Sequence, residues 1–206
     1  MALTLHARRA YTHVCFTDGS HVKATQQRRG RAAFGVWQGG GLAGGLRGEG
    51  GSMLAGASIA DAEMAAVLQC VMAAGRQDIG RAPAVLVIGD SHSVLWAVEK
   101  AWRTGSAWRV REIGHRREML EAICLERLRW QRELGGGRLD MLWVPSHSGV
   151  AGNSMADTVA KAYIDEAAMP VGAARKAALV RYYKRVDMPG ERSVRARRDW
   201  ACLARG

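Results

Sequence analysis

Cysteine is scarce in this chain: Cys15, Cys70, Cys124 and Cys202 lie far apart, and no CxxC pair occurs. This argues against a zinc finger or a disulfide framework. The first three fall within apolar patterns and read as buried free thiols in a reducing compartment. No stretch reaches the roughly 18 consecutive apolar residues that a spanning helix needs. Nothing near the start joins a charged segment to an apolar core and a cleavage site, so a soluble intracellular protein without membrane insertion is expected. The arginines at 8 and 9, with no acid among residues 1–10, leave nucleus, cytoplasm and organelle all open, the mitochondrion included. Acidic residues are also few, 19 against 30 Lys and Arg, for a net charge of +11. Most of the surplus is Arg, whose planar fork of donors suits phosphate oxygens, which implies a polyanionic partner. Nucleic acid and an anionic membrane surface both satisfy that charge. A phosphate-binding loop is not present, because the glycines of 39–51 lack the accompanying strand, Lys-Ser/Thr pair and helix. There is no internal repeat.

What the chain does contain is enough apolar residue, 48% of 206, for one core of ordinary size with extensions. Residues 11–17 alternate bulky and β-branched side chains and reach Asp18-Gly19-Ser20, which predicts a strand ending in a turn with Asp18 at its C-terminal end. A weaker strand follows at about 32–37, and the glycine-rich 39–51 reads as a flexible hairpin connection, with room for one extra strand before the first helix. Met64, Val67, Leu68 and Val71 recur at helical spacing within 61–74, and Ser58 is the expected N-cap. Residues 84–88 form a short apolar run typical of a strand buried on both faces, halted at Gly89-Asp90-Ser91. Val94, Leu95, Val98 and Trp102 mark the next helix. A helix at about 116–134 closes at Gly135–Gly137, a strand spans 139–144, and a last core helix spans about 154–168. The predicted order is β-β-α-β-α-α-β-α.

Asp18 and Asp90 both stand where a strand ends, and crevices beyond the carboxyl ends of parallel strands are where sites form in such sheets. Adjacent strands lie about 4.8 Å apart. Two carboxylates at that separation raise one another's pKa unless a divalent cation neutralises them. Taken singly, an Asp-Gly-Ser is an ordinary turn and an Asp before a helix an ordinary N-cap. The combination gains force from Trp143-Val-Pro-Ser-His-Ser-Gly149, which sets His147 in a glycine-bounded loop, and from Asp157 on the helix that follows. Near the first helix Asp61 has capping-box spacing to Ser58, which leaves Glu63 to face the strand ends; Ser154 and Asp157 have the same spacing.

These segments resemble the type 1 ribonuclease H family, and most closely the ribonuclease H domains of retroelements. The resemblance covers about 11–168 and rests on Phe16-Thr-Asp-Gly-Ser20, Ala60-Asp-Ala-Glu-Met-Ala65, Val87-Ile-Gly-Asp-Ser91 and Trp143 to Gly149, followed by Gly152-Asn153 and Met155-Ala-Asp157. It implies an α/β ribonuclease H-like fold with a mixed five-stranded sheet flanked by helices, and a metal-dependent endonuclease that hydrolyses the RNA strand of RNA·DNA hybrids. By position the resemblance places the metal-binding carboxylates on Asp18, Glu63, Asp90 and Asp157, for two Mg²⁺ ions with Mn²⁺ as a substitute, and the loop histidine on His147. All five are expected to be catalytic. Ile59 and Ala60 occupy positions where many cellular members place asparagines that sense RNA 2′-hydroxyls, so selectivity for hybrids is expected to differ from theirs.

The domain reading is an N-terminal segment 1–10, the ribonuclease H-like domain 11–168 and a basic C-terminal extension 169–206. From Val171 onward the extension holds ten Lys and Arg against Asp187, Glu191 and Asp199. It would bind nucleic acid, either the hybrid or a structured RNA, or dock a protein partner through Leu179, Val180, Tyr182 and Tyr183. The rival reading is a non-catalytic ribonuclease H-like subunit, an RNA-binding or scaffold component of a large ribonucleoprotein or organellar complex.

Overall fold

Alternation of side chains along the central strands decides the layering. In the computed structural model, which describes residues 10–23, 30–39, 47–53, 56–76, 82–111 and 115–167, β1 (His13–Val22) points Val14 and Phe16 into one apolar cluster and Cys15 into another. Strand β4 (Ala84–Gly89) does the same with Leu86 and Ile88 against Val85 and Val87. A strand apolar on both faces must be covered on both. Helices α1 (Ile59–Arg76), α2 (His92–Thr104) and α3 (His115–Glu133) cover the first face, and α4 (Ala151–Ala167) covers the second.

The sheet has five strands in the order β3-β2-β1-β4-β5, with β2 at Arg31–Gly39, β3 at Arg47–Ser52 and β5 at Arg138–Trp143. Strands β1, β2 and β3 are antiparallel neighbours, whereas β1, β4 and β5 run parallel. A mixed five-stranded sheet flanked by helices therefore matches the expectation. The extra strand is β3, built from Arg-Gly-Glu-Gly-Gly-Ser, so 47–52 is sheet and not the flexible connection its glycines suggested. Gly50 and Gly51 sit where a Cβ would press on the rings of Tyr163 and Phe34, and the glycines serve close packing there.

Two other expectations are corrected. Strand β1 does not end at Asp18 but continues to Val22, pairing with β2 as far as Val22↔Arg31. Only its parallel pairing with β4 stops, at Thr17↔Gly89. Gly19 looked like a turn residue, yet a Cβ on it would stand 2.9 Å from the Glu63 backbone nitrogen and 3.0 Å from the Ile59 carbonyl oxygen. Its role is to let α1 approach the strand. Helix α4 starts at Ala151, not near Ser154, so Ser154 and Asp157 form no capping box; the Ser154 hydroxyl turns back to the Val150 carbonyl at 3.4 Å.

The Ser58–Asp61 capping box is present. The Ser58 N–H and hydroxyl both donate to Asp61 Oδ2 at 2.7 Å, and the Asp61 N–H donates to Ser58 Oγ at 3.2 Å. Trp102 and Trp130 meet edge to face at 4.9 Å between α2 and α3, and α2 ends on Gly105 at φ 65° as a left-handed cap. Cys15, Cys70 and Cys124 are buried free thiols. No described helix is long and apolar enough to cross a membrane. The N-terminal segment, the extension beyond 167 and Cys202 lie outside the described residues.

Candidate active site

The last parallel pair of β1 and β4, Thr17↔Gly89, makes Asp18 and Asp90 the next residues on adjacent strands. Gly19 admits α1 closely enough for Glu63 to reach the same point from above the sheet. Carboxylate oxygens of Asp18, Glu63 and Asp90 all lie within 4.8 Å of one another. Asp18 and Glu63 are 8% and 6% exposed, so two of the three charges are nearly dry.

Dry, crowded carboxylates resist ionisation. Burial, then the charges of Asp90 and Asp157, push the Asp18 carboxyl from its ordinary 3.8 up to about 7. Burial, then the charges of Asp18 and Asp90, push Glu63 well above its usual range. Opposing this, the Gly19 N–H donates to Asp18 Oδ1 at 2.8 Å and favours the anion. Hard oxygen donors at this spacing suit a divalent cation such as Mg²⁺, Mn²⁺ or Ca²⁺ and offer nothing to a thiophilic metal. The donor set fits a metal centre.

Asp90 is held by the end of β5 and the turn that follows it. The Ser146 hydroxyl donates to Asp90 Oδ2 at 2.7 Å, and Trp143 Nε1 donates to the Asp90 carbonyl at 3.0 Å. His147 follows, with φ 55°, in a turn where the Ser148 N–H meets the Pro145 carbonyl at 3.3 Å. Asp18, Asp90, His147, Asn153 and Asp157 line one narrow cleft.

All five residues singled out in the sequence thus belong to one neighbourhood, but not equally. Asp18, Glu63 and Asp90 form the tight set. Asp157 lies at its rim: its charge reaches Asp18, yet its Oδ2 accepts from Lys161 Nζ at 2.7 Å, one turn further along α4. His147 lines the same cleft. Sequence reasoning assigned no part to Ser146, Trp143 or Asn153. Asn153 is 7% exposed, and its buried Oδ1 has no hydrogen-bond partner among the described residues. Its signal was the i, i+4 relation to Asp157, which puts both on one helix face.

Comparison with known proteins bears on the family and the fold. A family model described as RNase H matches residues 11–165. No curated protein matches the sequence. Among solved structures, LC11-RNase H1 in complex with an RNA/DNA hybrid is 17% identical, with a TM-score of 0.54 over 76% of this chain and 99% of that one. The N-terminal RNase H domain of a Mycobacterium tuberculosis protein is 18% identical, with a TM-score of 0.53 over 77% of this chain and 96% of that one. The foamy viral protease-reverse transcriptase in complex with an RNA/DNA hybrid is 20% identical, with a TM-score of 0.53 over 74% of this chain but 20% of that one. The chain thus spans about a fifth of that viral protein's length, and at these identities the likeness is one of fold.

Proposed function

The chain belongs to the ribonuclease H family, and on that premise we propose that it is a metal-dependent endonuclease hydrolysing the RNA strand of RNA·DNA hybrids. The observation that carries the reading is the convergence of Asp18, Glu63 and Asp90 within 4.8 Å, two of them buried, at the ends of neighbouring parallel strands. A fold without a use for charge at that point gains nothing from three mutually repelling carboxyls. Hybrid-bound relatives of the same fold support the choice of substrate.

Asp18, Glu63, Asp90 and Asp157 would hold a pair of Mg²⁺ ions, with Mn²⁺ as a substitute. Such a pair, when bound, acidifies an attacking water and offsets charge on the scissile phosphate and its leaving oxygen. The protein's own part is preorganisation. Strand register sets Asp18 beside Asp90, the Gly19 N–H orients Asp18, and α1 brings Glu63 across to them. Asp157 must share or surrender its partner Lys161, a flexible side chain 60% exposed and free to swing outward. His147 faces the cleft from its turn, where an imidazole can carry a proton to or from it. The net charge of +11 favours approach of the polyanion.

The test is cleavage of a labelled hybrid by the purified chain with Mg²⁺, against EDTA and against Asp90→Asn. Cutting that needs Mg²⁺ and is lost in Asp90→Asn, with the circular dichroism spectrum unchanged, is the expected result. Hybrid or RNA binding without any cutting would point to the scaffold reading, and full activity in Asp90→Asn would refute the site.

A further inference from the structure

Asp90 is gripped by a loop that brings no carboxylate of its own. The Ser146 hydroxyl reaches Asp90 Oδ2 at 2.7 Å across 56 residues of sequence, and Trp143, paired with Gly89 in the β4–β5 register, secures the Asp90 carbonyl at 3.0 Å. The Val144 N–H extends the same ladder to the Gly89 carbonyl at 3.0 Å. The backbone of Asp90 is therefore fixed by the sheet edge, whereas its carboxylate is fixed by Ser146. A hydroxyl-to-carboxylate bond of this length is charge-assisted and directional. With one oxygen held, the carboxylate plane no longer turns freely, and its aim toward Asp18 and Glu63 is set.

The same bond acts in the other direction. Ser146 and His147 are the two central residues of the turn from Pro145 to Ser148, and His147 has φ 55°, a left-handed conformation that non-glycine residues adopt only when their surroundings fix it. The turn's own closing bond is long, 3.3 Å. The Ser146–Asp90 bond ties this turn to the end of β4, and His147 lines the cleft beside Asp18 and Asp90.

We propose that Ser146 is a positioning residue whose single hydroxyl sets both the Asp90 carboxylate and the aim of His147, so that a metal ligand and a proton carrier are aligned as one unit. The proposal rests on the reading of Asp90 as a metal ligand given above. It assigns Ser146 no contact with substrate or with the reacting atoms.

The experiment compares wild type, Ser146→Ala and Ser146→Thr in the 206-residue chain by three measurements: the His147 imidazole signals by NMR without metal, Mg²⁺ affinity by calorimetry, and kcat and KM on a hybrid. In Ser146→Ala the His147 signals shift and broaden, Mg²⁺ binds about 10- to 100-fold more weakly, the usual range for loss of a ligand's orienting partner, and kcat falls more than KM rises. Ser146→Thr keeps the hydroxyl and restores all three. Unchanged His147 signals and Mg²⁺ affinity in Ser146→Ala, or an equal loss in Ser146→Thr, would overturn the proposal. A wild type that never cuts hybrids would instead defeat the endonuclease reading, and the metal-free His147 signals would still decide the role of Ser146.

Discussion

Replacing Asp18 with Asn isolates the repulsion at the centre of the site. The Asp18 carboxyl is displaced from 3.8 to about 7, and each pKa unit is worth about 1.36 kcal/mol. Ionised Asp18 therefore costs the metal-free fold at most roughly 4 kcal/mol. A carboxyl raised by folding leaves stability untouched below about pH 4, where it is protonated in both states. The cost grows as pH rises to about 7 and is complete above that. Asn keeps the shape, and its Oδ1 can still accept from the Gly19 N–H that now donates to Asp18 at 2.8 Å. It must also bury a polar amide, so about half of the ceiling, roughly 2 kcal/mol, is the expected gain at about pH 8. For a chain of this size that raises Tm by about 4–8 °C. Near pH 4.5 the charge cost has shrunk to about 1 kcal/mol while the cost of the buried amide is unchanged, so the gain is gone and Tm falls by about 2–4 °C. Mg²⁺ reverses the ranking: at 100 times its Kd a ligand adds about 2.7 kcal/mol to a protein that binds it, and Asp18→Asn forgoes most of that. Thermal denaturation at the two pH values, with EDTA or Mg²⁺, reads all of this. A lower Tm for Asp18→Asn at the higher pH without metal, or an equal gain at both pH values, would refute the electrostatic reasoning.

Other perturbations address single links. Gly19→Ala places a methyl 2.9 Å from the Glu63 nitrogen and 3.0 Å from the Ile59 oxygen, both backbone; α1 must retreat, at a cost of about 1–3 kcal/mol in denaturant unfolding and with weaker Mg²⁺ binding, and wild-type values for both would show that the close approach is not needed. Lys161→Ala frees Asp157 from its 2.7 Å ion pair; because an exposed pair contributes under about 1 kcal/mol, Tm stays within about 3 °C while calorimetry shows tighter Mg²⁺ binding, and weaker binding would mean that Lys161 orients Asp157 and does not compete for it. Removing 171–206 takes away ten Lys and Arg; if they meet phosphates, the fall of hybrid affinity with salt becomes shallower by about 0.9 log units for each phosphate left unneutralised, while cleavage at saturating hybrid persists, and an unchanged slope would turn attention to a protein partner.

How much of this was legible in the sequence depended on whether local pattern and tertiary demand agreed. The run from Ala84 to Ile88 is apolar because both faces of β4 are covered, and its ending at Gly89-Asp90 survived intact. The capping box separated Asp61 from Glu63 correctly, since a cap is a local structure that three residues of spacing can report. Glycine misled twice for one reason. At Gly19 and in Gly50-Gly51 the missing side chain makes room for a neighbour, Glu63 in the first case and Tyr163 and Phe34 in the second, and no local pattern distinguishes that use from a turn. Ser154 misled in the opposite way: its spacing to Asp157 copies a cap, but α4 had already begun at Ala151.

The rank of the carboxylates could not be read from spacing at all, because it depends on what lies across the sheet. Asp18 and Asp90 are made neighbours by a parallel register, and Glu63 joins them because Gly19 yields space. Asp157 stands at the rim and pairs with Lys161, one helical turn along its own helix, a pairing that the sequence displays openly at i, i+4. Such a lysine competes with a cation for the same oxygen. The three inner carboxyls have no cationic partner that close among the described residues, and two of them are buried, so they carry the full cost of their proximity. On the proposed metal reading, the inner set is where a first divalent ion would gain most, and Asp157 is where a second would have to displace an existing charge. Sequential Mg²⁺ binding follows, with a tighter step that Asp90→Asn removes and a weaker step that Asp157→Asn removes; two equal steps in calorimetry would contradict that order.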